Sequence, residues 1–243
     1  MSKISFVMPT KNRGDIIKDS IESIVEQSEN DWELIIVDDH SDSGDKTKDM
    51  IGSFNDNRIV YVRMPDKFAG GIPMARNFGN IFARSEIIAV CDSDDLNFSD
   101  RARVTIDAFD KFQCDVFYAK YDIWEKEKNI VRERKSPIIP FNLEKLKEHN
   151  YIPHVSVAYK RSIAYDFPYN SFFRIGEDYE LLTRLAKAGK KFYFYDGKVF
   201  RYVLHGSNIS EGKRLDNQDK LIKIIRGWEK EDKNKILNEI IKT

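Results

Sequence analysis

Residues 87–95 read Ile87-Ile88-Ala89-Val90-Cys91-Asp92-Ser93-Asp94-Asp95: an uninterrupted apolar run, then three carboxylates in four positions. A short apolar run without polar alternation reads as a strand buried on both faces. It ends in Asp, a poor strand former that is costly to bury. The same design recurs at Leu34-Ile35-Ile36-Val37-Asp38-Asp39 and, stopped by Pro9, at Ile4-Ser5-Phe6-Val7-Met8. Between these runs, Ile17, Ile21, Ile24 and Val25 fall at the spacing of one helix face. A weak helix is expected over Thr47 to Phe54 and a strand over Ile59 to Met64. After Gly70-Gly71, Pro73 suits the first turn of a helix running to Ala83. Ser99 and Asp100 offer cap positions for a helix through Phe112. Continuous apolar strands alternating with helices predict an α/β fold: a mostly parallel, Rossmann-like central sheet flanked by helices.

Beyond Val116 the pattern loosens. Strands are expected at Val116 to Tyr121, Ile130-Val131 and Val155 to Tyr159, with a charged, Pro-punctuated stretch from Glu125 to Pro140. Tyr179, Leu182 and Leu185 place a helix over Ile175 to Ala188, closed by Gly189. Phe192 to Tyr195 and Val199 to Val203 read as strands, and residues 216–242 as two amphipathic helices around Trp228. The expected organisation is one domain over 1–211 and a C-terminal helical extension over 212–243.

At 243 residues, 41% hydrophobic and 33% charged, the chain has the composition of a soluble globular protein with one sizeable core. Forty basic residues balance forty acidic ones, which argues against a nucleic-acid partner. No apolar run approaches the ~20 residues that span a bilayer, and the N-terminus does not read as a signal peptide. Cys91 and Cys114 are too few for a disulfide framework or a four-cysteine zinc site. A cytoplasmic protein is the expectation.

In an open parallel sheet, ligands bind beyond the carboxyl ends of the strands. Asp38-Asp39 and Asp92-Ser93-Asp94-Asp95 should therefore face one cleft. Caps and turns account for such residues singly, but three clustered carboxylates repel one another unless a cation offsets them. Mg²⁺ and Mn²⁺ take oxygen ligands and are commonly held by one or two carboxylates plus substrate phosphates. The calcium-loop, phosphate-loop and dinucleotide fingerprints are all missing.

Four motifs stand in order and spacing: Val7-Met8-Pro9-Thr10-Lys11-Asn12-Arg13, Ile35-Ile36-Val37-Asp38-Asp39-His40-Ser41, Ala75-Arg76-Asn77 and Asp92-Ser93-Asp94-Asp95. Together they resemble the family-two glycosyltransferases, inverting enzymes with the GT-A fold that use nucleotide-sugar donors. Gly176-Glu177-Asp178, with Leu181-Leu182 behind it, extends the likeness to about residue 210. The resemblance implies a nucleotide-binding half over 1–115 and an acceptor-binding half over 116–211. It puts Pro9, Thr10 and Arg13 around the base and ribose, and Asp39, with Asp38, on the base, which favours uracil. Arg76 would approach the base or diphosphate, Asp92 and Ser93 the donor, and Asp94 the Mn²⁺ or Mg²⁺ ion. His40 stands where the family often has Gly, and is expected to alter that turn rather than activity.

Glu177 and Asp178 open a helix, where acidic residues complement the macrodipole without any further role. The resemblance makes Asp178 the base that takes the acceptor proton, with Glu177 as the fallback. It also makes His205 a candidate metal ligand; His154 is placed near the acceptor pocket. The expected partners are a nucleotide-sugar donor, a UDP-sugar by preference, and a glycan or lipid-linked saccharide acceptor.

The segment 212–243 carries nine basic and six acidic residues. Packing on the core or on a second subunit is the favoured role. Peripheral membrane contact, at the inner face, is the alternative for a basic amphipathic segment. Two other functions fit part of the pattern. A sugar-phosphate nucleotidyltransferase would need a Gly-rich loop after the first strand, which Pro9 to Gly14 is not; a non-catalytic nucleotide-sugar binding module would not need Asp178.

Overall fold

Every residue of β1 (Ile4–Thr10) is buried, which is why its sequence shows no polar alternation. The computed structural model describes residues 2–68, 70–134, 136–173, 175–206 and 208. The helices expected at 216–242, and the whole of the 212–243 extension, lie outside these residues. Following β1, helix α1 (Ile17–Val25), β2 (Trp32–Asp38), α2 (Thr47–Gly52), β3 (Ile59–Arg63), α3 (Ile72–Phe82) and β4 (Ile87–Val90) complete the first half. β1 pairs in parallel with both β2 and β4, and β2 pairs in parallel with β3. The sheet twofold alternation sorts its side chains. Ile4, Phe6 and Met8 join Leu34, Ile36, Ala89 and α1 residues Ile17, Ile21 and Ile24 in one core. Val7 joins Ile35, Val37, Val90 and Ala75 of α3 in the other. α3 lies tight on the sheet at Gly79, where an added Cβ would sit 2.5 Å from Val7 Cγ1 and 3.0 Å from Val37 Cγ2.

The second half is mixed rather than parallel. It comprises β5 (Leu96–Asn97), α4 (Arg101–Phe112), β6 (Val116–Glu125), β7 (Ile130–Glu133), α5 (Leu143–Glu148), β8 (Ala158–Lys160), α6 (Arg161–Asp166), α7 (Glu177–Lys187) and β9 (Phe192–Leu204). The sheet runs β3-β2-β1-β4-β8-β6-β9-β5, with β7 beside β6. β8 is antiparallel to β4 and β6, so the parallel order of the first four strands stops there. Two expectations need correction. The strand expected over Val155 to Tyr159 opens as a 3-10 turn, His154–Ser156, and only Ala158–Lys160 pairs. Ser156 Oγ closes that turn on Pro153 O at 2.7 Å and accepts Ala119 N at 3.1 Å. The two strands expected at 192–203 are one, with a register shift opposite Ala119 to Tyr121. α5, α6 and β5 are too short to show a period in the sequence.

Candidate active site

The carboxyl ends of β1, β2 and β4 open into a cleft of about 880 Å³, and the start of α7 forms another wall. Pro9, Thr10, Arg13, Asp39, Arg76, Asp92, Ser93, Asp94, Glu177 and Asp178 all line it. Asp38 does not. Its carboxylate accepts Ser41 N at 2.7 Å, Tyr61 Oη at 2.7 Å and Arg63 Nη1 at 3.1 Å, and the residue is 1% exposed. Asp38 therefore builds the turn that presents Asp39. Burial, and then Asp38, pushes the Tyr61 hydroxyl up to about 12.

Asp39 faces the cleft and accepts Gly71 N at 3.1 Å, tying the end of β2 to the start of α3. His40 follows with φ +61°, the left-handed conformation glycine adopts freely. The turn is thus made with a side chain at a local cost of about 1–2 kcal/mol. His40 Nδ1 lies 3.4 Å from Asp39 Oδ1 and Nε2 lies 3.2 Å from Asp66 Oδ1.

Beyond β4, Asp92, Asp94 and Asp95 bring carboxylate oxygens within 4.8 Å of one another. Asp94 Oδ2 lies 3.2 Å from His205 Nε2 and 3.6 Å from Arg13 Nη2. Burial and the neighbouring Asp92 charge push the Asp94 carboxyl up, while His205 and Arg13 hold it down. Asp95 is a buried support: Oδ1 accepts Val203 N at 3.0 Å, joining the acidic loop to β9. His205 is positioned in turn by Asn208, whose Oδ1 accepts His205 N at 2.9 Å and whose Nδ2 donates to Val203 O at 2.8 Å. Behind the cluster, Arg101 of α4 donates to Val90 O and Val155 O, each at 2.6 Å, and fixes the strand end.

Arg76, expected near the base or diphosphate, lines the cleft. It is 4% exposed and bridges two carboxylates: Nη1 donates to Glu177 Oε1 at 2.7 Å and Nη2 to Asp92 Oδ1 at 2.9 Å. Burial opposes its charge, but Asp92 and Glu177 outweigh that and hold the guanidinium above its ordinary value. Asn77 beside it pins the backbone of Tyr169, donating to Tyr169 O at 2.7 Å and accepting Tyr169 N at 2.8 Å. Burial pushes the Glu177 carboxyl up to about 7, against the pull of Arg76. Burial raises Asp178 as well. Asp178 Oδ2 accepts Asn150 Nδ2 at 3.1 Å.

Sequence reasoning missed Asn150, Tyr169 and Arg134, which sit in stretches without a readable period. His154 does reach the cleft, buried, with Nε2 at 2.9 Å from Tyr169 Oη. Burial, and then Arg76, keeps it neutral well below the usual histidine range.

A curled α/β sheet whose acidic strand ends meet in one cleft is the GT-A glycosyltransferase fold. Crystal structures of S. aureus TarS 1-349 in complex with UDP and with UDP-GlcNAc superpose on 98% of this chain with TM-scores of 0.72 and 0.73. They do so at 17% identity, with 70% and 71% of those chains covered. Residues 5–173 match Glycosyl transferase family 2, and the chain belongs to that family of enzymes. It is 28% identical over 211 residues to the Escherichia coli UDP-Glc:alpha-D-GlcNAc-diphosphoundecaprenol beta-1,3-glucosyltransferase WfgD, covering 86% of this chain and 80% of that one. It is 31% identical over 133 residues to the Staphylococcus aureus poly(ribitol-phosphate) beta-N-acetylglucosaminyltransferase TarP, covering 54% of this chain and only 40% of that one. Among the described residues no helix is long and apolar enough to cross a membrane.

Proposed function

We propose that the chain moves a sugar from a UDP-sugar to a hydroxyl of a glycan or lipid-linked saccharide, with inversion at the anomeric carbon. One observation carries this reading: Asp39, Asp92 and Asp94 at the strand ends share a single cleft with Asp178 at the start of α7. Relatives named for a UDP-glucose donor and for lipid-diphosphate or polymer acceptors support it. Membership of the glycosyltransferase family removes the nucleotidyltransferase alternative.

The residues present fit a divalent cation, Mn²⁺ or Mg²⁺. Asp94 Oδ2 and His205 Nε2 are 3.2 Å apart, close to the ~3 Å between adjacent ligands of an octahedral ion with bonds of ~2.1 Å. Asp94 and His205 would hold the ion, which when bound would neutralise charge on the departing diphosphate. The chain's own contribution is positioning. Pro9, Thr10, Arg13 and Asp39 would flank the nucleoside, with Asp92 and Ser93 beside the donor. Asp178 would take the acceptor proton: Asn150 occupies one oxygen and orients the other, and a raised carboxyl is better matched to proton transfer near neutrality. Glu177, tied to Arg76, is a support for this base rather than a second one. A lipid-linked acceptor would place the reaction at the inner face of the membrane, with the segment 212–243 as the contact.

Asp94→Ala tests the reading. Calorimetric titration of UDP with Mn²⁺ present should show affinity falling at least about tenfold, the scale of one lost charged contact. Unchanged affinity in a folded variant would remove Asp94 from the metal site.

A further inference from the structure

The cleft's cations are unequally satisfied. Arg76 is clamped by Asp92 and Glu177, and Arg13 lies 3.6 Å from Asp94. Lys11 is exposed at the β1 end, on the nucleotide side. Arg134 is different: it lines the cleft with Asn150 and Asp178, in the part of the chain expected to bind the acceptor, and no carboxylate among the described residues lies within ion-pair distance of it. Its placement is nevertheless defined. Nη1 donates to Tyr151 O at 3.1 Å, which fixes one edge of the guanidinium fork. Tyr151 directly follows Asn150, the residue that holds Asp178 Oδ2 at 3.1 Å. The fork is therefore tethered one residue along the chain from the group that orients the base. Tyr121, which also lines the cleft, feels the Arg134 charge, and its ring stacks on Phe200 at 4.9 Å with Tyr202 edge-on at 6.4 Å. An arginine held by a neutral carbonyl, beside an aromatic wall and within a cleft rich in carboxylates, has its remaining donors available to a planar or tetrahedral oxyanion.

We infer that Arg134 is the contact for a phosphate group on the acceptor, so that the acceptor is a phosphate-bearing saccharide or alditol and not a neutral glycan. The inference rests on the proposed transferase reading and deepens it. A phosphate at Arg134 would anchor the acceptor next to the base, with the aromatic wall of Tyr121, Phe200 and Tyr202 packing its apolar ring or chain surface. A diphosphate linking a sugar to a lipid and a phosphodiester in a polymer present the same oxyanion to this fork.

The full chain with UDP bound is titrated with three probes: GlcNAc joined through a diphosphate to an undecyl chain, a short ribitol phosphate oligomer, and neutral undecyl GlcNAc. At least one phosphate probe should bind about 10- to 100-fold more tightly than the neutral one, the range for a charge-assisted hydrogen-bonded pair. Preference for the diphosphate assigns a lipid-linked source, and preference for the oligomer assigns a polymer. Arg134→Ala should abolish the preference, and Arg134→Lys, which keeps charge without the fork, should restore part of it; melting curves check that both variants fold. Equal binding of neutral and phosphate probes by the unmodified chain, no binding of either phosphate probe, or a preference that survives Arg134→Ala in a folded protein overturns the inference. Wild-type hydrolysis of UDP-sugars is measured separately, so a failed transferase reading shows as absent hydrolysis and not as a lost acceptor preference.

Discussion

Removing Arg76 should destabilise the fold by an amount that depends on pH. The Arg76→Met variant keeps most of the side-chain volume but leaves Glu177 and Asp92 without their shared partner. Breaking a buried ion pair by deleting one member costs about 3–5 kcal/mol. Most of that should come from Glu177, whose side chain is 11% exposed, against 31% for Asp92. For a chain of this size it corresponds to a fall in Tm of roughly 6–20 °C. Burial already holds Glu177 near 7 in the fold, above the ~4.3 of an unfolded chain. Ionised Glu177 therefore costs stability progressively as pH rises through about 7. Arg76 offsets this cost, so its loss should move the Glu177 carboxyl higher still. Urea denaturation of wild type and Arg76→Met at pH 6 and pH 8 should give a gap that is larger at pH 8. Arg76→Met combined with Glu177→Gln should recover a large part of it. A single-variant loss below about 1 kcal/mol, the level of an exposed ion pair, or a gap independent of pH, would refute the triad as a structural link between the two halves of the site.

Asp178→Asn should retain UDP binding while transfer falls roughly 10²- to 10⁴-fold; near-normal turnover would remove it as base. Because burial raises the Asp178 carboxyl, the wild-type rate should decline on acidification from neutral pH, as the base becomes protonated above the usual carboxylate range. Whatever activity Asp178→Asn keeps should lack that acid limb. Asp38→Ala strands Ser41 N and Tyr61 Oη, a loss of about 2–6 kcal/mol at ~1–3 kcal/mol for each unsatisfied group. UDP affinity in the folded fraction should nevertheless change less than about tenfold, since no lining contact is lost. The Tyr61 hydroxyl, now held near 12, should titrate lower when followed by phenolate absorbance. A larger loss of UDP affinity in folded protein would return Asp38 to the donor site.

Strands β1, β2 and β4 were legible because burial on both faces leaves a largely apolar run, and because acidic residues end two of those runs at the site itself. The second half was not. β6 and β9 pair along ten residues of β6, from Val116 to Glu125, yet β9 reads as two strands because Asp196-Gly197 interrupts it at the register shift. Gly197 packs so closely on the Tyr195 ring that an added Cβ would meet it at 2.3 Å, an arrangement no local period encodes. Asp38 and Asp39 are chemically identical neighbours, and their roles diverge only through the pleat. Asp38 is the last residue of β2, in register with Arg63 of β3, and is satisfied there. Asp39 lies one step past the strand and reaches the cleft.

Arg76 was legible as a site residue but its bridge to Glu177 was not, since that partner is 101 residues away. A motif marks where charge is needed; only the fold determines which charges cancel. Here Arg76 is shared between the carboxylates of Asp92 and Glu177, so that triad is already hydrogen-bonded before a ligand arrives. Electrostatic groups preorganised in this way act without a reorganisation cost at the moment of reaction. The charges left over, the acidic loop around Asp94 on one side and Arg134 on the other, are where the cleft still calls for a cation and for an anion, and a phosphate-bearing acceptor meeting a metal-bound donor would supply both.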